Sequence, residues 1–410
     1  MLEIFSIFLV VTAALAYLNQ RFIGLPITIG VMASALVLSL ILIGLSHIGV
    51  AAHLHAYEES LLRSIDFSEV LMEGMLSLLL FAGALHVDLR ELRNYRWQIG
   101  TFAVLGTICS TILIGLTVYF ILPLIGLPTP FIYCMLFGAL ISPTDPIAVM
   151  GILKSADAPK NLSLVIAGES LFNDGVGVVI FSLLIGMLAS GEAPSVSEGL
   201  LLLLKEAGGG LLFGAVLGYG TYRLLHSIDQ YQVEVLITLA AVMGGYSLAS
   251  HLHISGPLAM VVCGLIIGNN GRAHAMSDKT RHHVDMFWEL LDEILNAVLF
   301  VLIGMEIILI HFSWHIATAA LIAIFITLLI RWLTIGLPVG LLHKSMQLPR
   351  GSGKVLTWAG LRGGISVALA LSLPFGPGRE TIIAMTYGVV VFSILCQGLT
   401  VAKLVRRVIR

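Results

Sequence analysis

Along this chain apolar residues come in long runs, separated by short clusters of charged residues, Pro and Gly. The runs are too long for strands and do not alternate polar with apolar, which rules out a membrane barrel. A helix of about 20 apolar residues crosses a bilayer core. The punctuation divides the chain into thirteen segments of that kind: 3–18, 24–46, 68–87, 98–122, 130–152, 162–188, 199–224, 233–250, 255–269, 286–310, 315–342, 354–374 and 380–403. The pattern predicts an all-α polytopic membrane protein with about thirteen transmembrane helices.

Composition removes the alternatives. Hydrophobic residues make up 58% of the 410 and charged residues 11%, against roughly 25% charged in a soluble domain. So few charges cannot cover a water-exposed surface, and so apolar a chain is not intrinsically disordered. The formal net charge of −2 points to no nucleic-acid partner. Cys109, Cys134, Cys263 and Cys396 lie inside apolar runs without a CxxC pair, which reads as buried thiols rather than a disulfide framework. The N-terminus carries Glu3 and no basic region, so it reads as an uncleaved first span and not as a signal peptide. No loop is long enough to fold alone, and no soluble domain is expected.

Lys and Arg set the orientation. Loops after odd-numbered segments, with the C-terminal tail, hold 17 of the 22 basic residues, while the opposite loops hold two, Arg63 and Arg379. Lys205, Arg331 and Arg362 fall inside segments. This bias predicts a multi-pass protein of the cell inner (plasma) membrane, with its N-terminus outside and its C-terminus in the cytoplasm.

Ionisable side chains inside a bilayer are costly, so each is a functional candidate. In segment 5, Pro143 and Pro146 bracket Thr144 and Asp145 at mid-span. Proline removes a donor and disfavours helix at the residue before it, so the helix should unwind around Asp145 and free backbone carbonyls. In segment 6, Glu169 and Asn173 are four apart, as are Ser170 and Asp174, so the four occupy adjoining helix faces. Gly168, Gly175 and Gly177 leave room for another backbone to approach. Asp174 and Asp145 can then face each other across a small polar cavity. Two carboxylates, hydroxyls, an amide and loose carbonyls are hard oxygen ligands suited to a monovalent cation. A desolvated carboxylate beside a second one can hold either a proton or a cation.

Segment 12 mirrors segment 5, with Arg362-Gly363-Gly364 interrupting its apolar run. The two are an odd number of spans apart and run in opposite directions. Segments 1–6 and 8–13 therefore suit inverted-topology repeats, an arrangement of secondary transporters. Arg331, deep in segment 11, needs an anion, and Glu169 is the best candidate; Arg362 either shares Glu169 or neutralises the helix crossing.

Other features carry less. Glu73 sits near an outer helix end, as do Glu306 and Lys205-Glu206. Glu289, Asp292 and Glu293 cluster in the first turns of segment 10 and form either a cytoplasmic cation funnel or a solvated face. His251, His253, His282 and His283 lack a third ligand at a fixed spacing for a metal; His274, His282 and His283, in an inner loop, can tune a pH response. The sequon at Asn161 falls on the inner side and is discounted. No Walker-type loop occurs, Ser170 has no histidine in its helix, and neither enzymatic activity nor a cofactor is expected.

Three blocks resemble a known family: SPTDPIAV at 142–149, GESLFNDGVGVV at 168–179 and GLRGGISVALALSLP at 360–374, with lesser matches at 79–89, 300–307 and around Arg331. They are similar to monovalent cation–proton antiporters of the CPA1 type, which include bacterial NhaP-like sodium/proton antiporters and animal sodium/hydrogen exchangers. The resemblance implies one transmembrane domain with broken, crossing helices at segments 5 and 12. Its core would cover about 98–188 and 315–403, and its scaffold, about 1–87 and 199–310, would form a homodimer. Carried over by position, it implies that Asp174 binds the ion or proton, with Asp145, Thr144 and Ser170 completing the site. Asn173 would support it, and Glu169 with Arg331 would form a core ion pair. Asparagine at 173 marks the electroneutral members. The implied activity is exchange of Na⁺ or Li⁺ for H⁺ by alternating access. A K⁺/H⁺ antiporter of the same fold and a cation channel remain open alternatives. Some relatives carry glutamate where this chain has Ala82, a departure that bears on ion preference.

Overall fold

The computed structural model describes residues 2–47, 74–145, 149–151, 153, 156–190, 196–272, 275–305 and 313–409. Glu73, Pro146, His274 and Glu306, with Arg63 and Lys154, lie outside the described residues. Within them, each of the thirteen apolar segments carries helix and no strand occurs. Intrahelical bonds satisfy the backbone where no water is available. Seven of the described helices are long and apolar enough to cross a membrane.

In chain order the helices are α1 Leu2–Leu18, α2 Ile27–His47, α3 Leu76–Leu85, α4 Leu89–Asn94, α5 Arg96–Ile125, α6 Phe131–Ile141, α7 Lys160–Ser190, α8 Val196–Leu225, α9 Tyr231–His251, α10 Gly256–Gly271, α11 Asp278–Met305, α12 Trp314–Leu342, α13 Ser352–Trp358, α14 Gly364–Leu371 and α15 Arg379–Val408. One set of close contacts joins α5 to α6, α6 to α7, and α12 to both α15 and α5. Another joins α2 to α11, α3 to α10, and α8 to α10. The two sets meet where α7 touches α10 and where α11 touches α14.

Small residues decide these pairings. Lipid tails are as apolar as leucine, so helices in a bilayer associate through close packing rather than through water exclusion. A Cβ at Gly138 of α6 would strike the Thr111 carbonyl of α5. On α10, Gly264 and Gly268 lie against the Phe81 and Leu85 carbonyls of α3, while Gly210 and Gly214 of α8 lie against α10 from its other side. The helix α10 is thus clasped between two neighbours at backbone contact.

Three sequence expectations need correction. Cys109 and Cys396 are exposed, and only Cys134 and Cys263 are buried; an apolar run supplies lipid-facing positions as well as interior ones. The helix of segment 10, α11, starts at Asp278 rather than 286. The polar residues before the apolar run extend it, so Glu289, Asp292 and Glu293 lie several turns in, and Asp278 is the acid of the first turn. For the same reason His282 and His283 are helical, with the His283 ring stacked 4.2 Å from Tyr231.

The start of α11 is held by Asp229, in the link between α8 and α9, which accepts hydrogen bonds from Ser277 Oγ at 2.7 Å and Thr280 Oγ1 at 2.9 Å. These hydroxyls, foremost Ser277, with Lys279 nearby, hold the Asp229 carboxyl below its usual range. A lowered folded-state value means that stability is present above the ordinary aspartate value of about 3.9 and is lost as pH falls through the lowered one. Asp229→Asn is therefore expected to lower the melting temperature slightly at neutral pH. Thermal unfolding recorded from pH 7 to 3 should show the gap closing on acidification.

Candidate functional site

The site is built where two interrupted helices cross. The helix α6 stops at Ile141, and Thr144 and Asp145 follow in non-helical conformation. The helix α13 stops at Trp358 and α14 begins at Gly364, leaving 359–363 irregular. The Asp145 amide donates to the Leu361 carbonyl at 2.8 Å, tying one break to the other. Any side chain at position 363 would strike the Asp145 carboxylate, which explains why glycine stands there. On α7, a Cβ at Gly177 would strike the Pro143 ring. The other two glycines singled out on this helix face side chains, Gly168 those of Ile99 and Leu92 and Gly175 that of Leu258, rather than a bare backbone.

The broken end of α6 is held by α7. Asn173 Oδ1 accepts from the Thr144 amide at 3.2 Å, and Asn173 Nδ2 donates to Thr144 Oγ1 at 3.0 Å. The Thr144 and Ser170 hydroxyls are 2.8 Å apart. Asn173 Nδ2 also reaches Glu169 Oε1 at 3.4 Å. An amide, which donates and accepts at once, suits this place; a carboxylate could not donate to Thr144.

Arg331 of α12 meets Glu169 in a bidentate pair, through Nη1 to Oε1 and, at 3.0 Å, through Nη2 to Oε2. Nη2 also donates to the Leu356 carbonyl at 3.3 Å. Glu169 is 1% exposed and Arg331 6%. Arg362 takes the second of its two expected places: Nη1 donates to the Pro143 carbonyl at 3.0 Å, and its amide donates to Ser393 Oγ of α15 at 2.8 Å. It neutralises the crossing, with no hydrogen bond to Glu169 among the described residues.

Asp174 stands apart from these bonds. It is 3% exposed, and among the described residues its carboxylate accepts no hydrogen bond, although Asp145 and Arg362 both lie within its electrostatic reach. The buried Thr144, Ser170, Asn173 and Asp174 and the half-buried Asp145 are therefore brought into one cluster beside the Glu169–Arg331 pair. Asp174, Asp145, Thr144 and Ser170 bring carboxylate and hydroxyl oxygens into this cluster.

Sequence reasoning missed one contributor, Ser393, and left another, Asp292, between two readings. Ser393 is a lone serine in an apolar span, with nothing to distinguish it. The acid trio of α11 divides: Glu289 and Glu293 are exposed, whereas Asp292 is half-buried, keeps Oδ1 without a hydrogen bond, and lies within electrostatic reach of Asp145. Its helical spacing to Asn296 and to Leu299, whose side chain fills the space above Gly364, was the available signal. Ala82 is buried in α3. Among the described residues no group of three His, Cys, Asp or Glu side chains could hold a metal ion.

The model of the family described as "Sodium/hydrogen exchanger, transmembrane" matches residues 10–407 of the chain. The Na⁺/H⁺ antiporter NhaP of Pseudomonas aeruginosa is 56% identical, over all of this chain and 97% of that protein. The Na⁺/H⁺ antiporter NhaH of Halobacillus dabanensis is 35% identical, over 91% of each. Among solved structures, the sodium proton antiporter MjNhaP1 of Methanocaldococcus jannaschii superposes with a TM-score of 0.77 at 17% identity, covering 98% of this chain and 97% of that one. The likeness in fold extends over nearly the whole of both chains.

Proposed function

The chain belongs to the sodium/hydrogen exchanger family, and we propose that it is a secondary antiporter exchanging Na⁺, or Li⁺, for H⁺ one for one. The observation that carries this reading is a charge count. Asp145, half-buried, and the buried Glu169 and Asp174 gather with Arg331 and Arg362 in one cluster. Fully ionised, these five leave one net negative charge. A single proton or a single monovalent cation neutralises it, and Asp174, with no hydrogen-bond donor among the described residues, is the group that takes either. The names of the relatives support sodium as the cation.

In the proposed cycle the elements carrying the site rock against those of about 1–87 and 199–310, presenting Asp174 to each side in turn. Asp145, Thr144 and Ser170 complete the cation's shell, and Asn173 keeps Thr144 turned toward it. The Glu169–Arg331 pair holds α7 against α12. The scaffold elements form a homodimer in the inner membrane, with the N-terminus outside and the C-terminus in the cytoplasm. Its service to the cell is sodium and pH homeostasis.

Liposomes containing the purified protein, loaded acidic and carrying a pH-sensitive dye, test the reading. Pulses of Na⁺ or Li⁺ should release protons, and K⁺ should release few. Clamping the membrane potential should leave the rate unchanged. If Na⁺ moves no protons the antiport reading fails; a preference for K⁺ overturns the selectivity, and a rate that follows potential overturns the one-for-one exchange.

A further inference from the structure

A cavity of about 600 Å³ opens between the two sets of packed helices, away from the ion site. Its walls come from α4, α5 and α7 on one side and from α8 and α10 on the other. The volume falls in the roughly 300–1,000 Å³ range of ligand pockets. The walls are apolar: Ala103 and Val104 of α5, Phe172 and Val176 of α7, Leu211 of α8 and Leu258 of α10. Val104 and Leu211 are about 40% exposed, at 43% and 44%, and Leu105 and Leu212 beside them more so. On a membrane-spanning helix those exposed faces meet lipid, so the cavity is a groove open sideways to the bilayer.

Its polar end is as specific as its apolar length. Arg93 and Arg96 line the groove at one end, and both are exposed. The acids nearest in sequence are engaged elsewhere: Glu91 pairs with Lys160, and Asp88 accepts from the Arg90 amide. Neither Arg93 nor Arg96 has an acidic partner among the described residues. Arg96 lies over the ring of Trp97, 5.8 Å from its centroid, and Trp97 is 76% exposed. Exposed tryptophan beside arginine marks the headgroup level of a membrane. From Arg96 the groove follows α5 to Ile108, about 18 Å at about 1.5 Å per residue. Half of a hydrocarbon core is about 15 Å thick. The groove therefore runs from headgroup level to the depth one acyl chain reaches.

We propose that this groove binds one anionic phospholipid of the leaflet facing the Arg-rich loops, with its phosphate on Arg93 and Arg96 and an acyl chain along α5. A zwitterionic lipid matches the length, but its ammonium offsets the phosphate charge that two arginines without an acidic partner among the described residues would take up. Because the groove walls belong to both packed sets, a seated chain lies between them and links their stability to the lipid around them.

The test uses the full-length protein in mild detergent, titrated with phosphatidylglycerol or with phosphatidylcholine of the same chains. Phosphatidylglycerol should raise the melting temperature and persist as a one-to-one adduct in native mass spectrometry, and phosphatidylcholine should do neither. Arg93→Gln with Arg96→Gln should weaken the phosphatidylglycerol effect about tenfold or more. Val104→Trp, and separately Leu211→Trp on the opposite wall, should displace the adduct by filling the groove. Glycerol 1-phosphate, the headgroup without chains, should not stabilise. Equal stabilisation by both lipids, an unchanged adduct in the arginine variant or in both tryptophan variants, or protection by glycerol 1-phosphate alone would overturn the proposal. None of these readings depends on transport, so failure of the antiport reading and failure of lipid binding are separable.

Discussion

Asp174→Asn is expected to abolish sodium-driven proton movement while leaving the protein folded. Asparagine keeps the shape of aspartate but carries no charge, so the cluster becomes neutral with no passenger aboard. Neither Na⁺ nor H⁺ then has a reason to enter. Truncating one partner of a buried charge interaction costs about 2–5 kcal/mol, which makes the expected fall in exchange at least about 30-fold. Stability should move the other way or not at all. Asp174 is 3% exposed and, among the described residues, receives no hydrogen bond. Burying an amide there costs less than burying a carboxylate. Exchange in proteoliposomes and melting temperature in detergent, measured on the same preparation, check both halves. Sodium-dependent proton release near the wild-type rate would remove Asp174 from the mechanism.

Arg331→Ala is expected to damage the fold itself. The bidentate pair with Glu169 is buried, and the arginine also donates to the Leu356 carbonyl beside the break in segment 12. Removing one partner leaves the other charge uncompensated, at a cost of about 3–5 kcal/mol. Glu169 would then lack its only charged hydrogen-bond partner among the described residues, and α7 would lose its tie to α12. The signature is a large drop in melting temperature that is partly reversed when Glu169→Gln is added, because two neutral groups cost less than one orphaned charge. If Arg331→Ala melts with the wild type, the pair does not hold these helices together.

Much of this arrangement could be read from the residues, and the reason is the solvent. In a bilayer each ionisable group is conspicuous, so Asp145, Glu169, Asp174, Arg331 and Arg362 stood out without any structure, and Pro143 fixed where α6 ends. What the chain did not disclose is who faces whom. Arg362 had two acceptable anchors, and only the crossing geometry brings the Pro143 carbonyl to it. The start of α11 was hidden because hydropathy registers the membrane-facing part of a helix and not its solvated extension. Hydropathy is equally blind to whether an apolar position meets protein or lipid, which is why Cys109 and Cys396 were misplaced. The groove beside Arg93 and Arg96 is assembled from five helices and leaves no periodic trace in any one of them.

The odd charge of the site has a further consequence for leakage. With either passenger aboard, the site and its passenger sum to zero; with none, the five ionised side chains sum to minus one. Moving an uncompensated charge through a low-dielectric interior is penalised by several kcal/mol, so the transition that would waste the gradient, return of the empty carrier, is the slow one. A carrier built this way resembles a turnstile that turns only under load. The proposed one-for-one stoichiometry would then follow from the count of carboxylates and guanidiniums at the crossing, with no separate gate to enforce it.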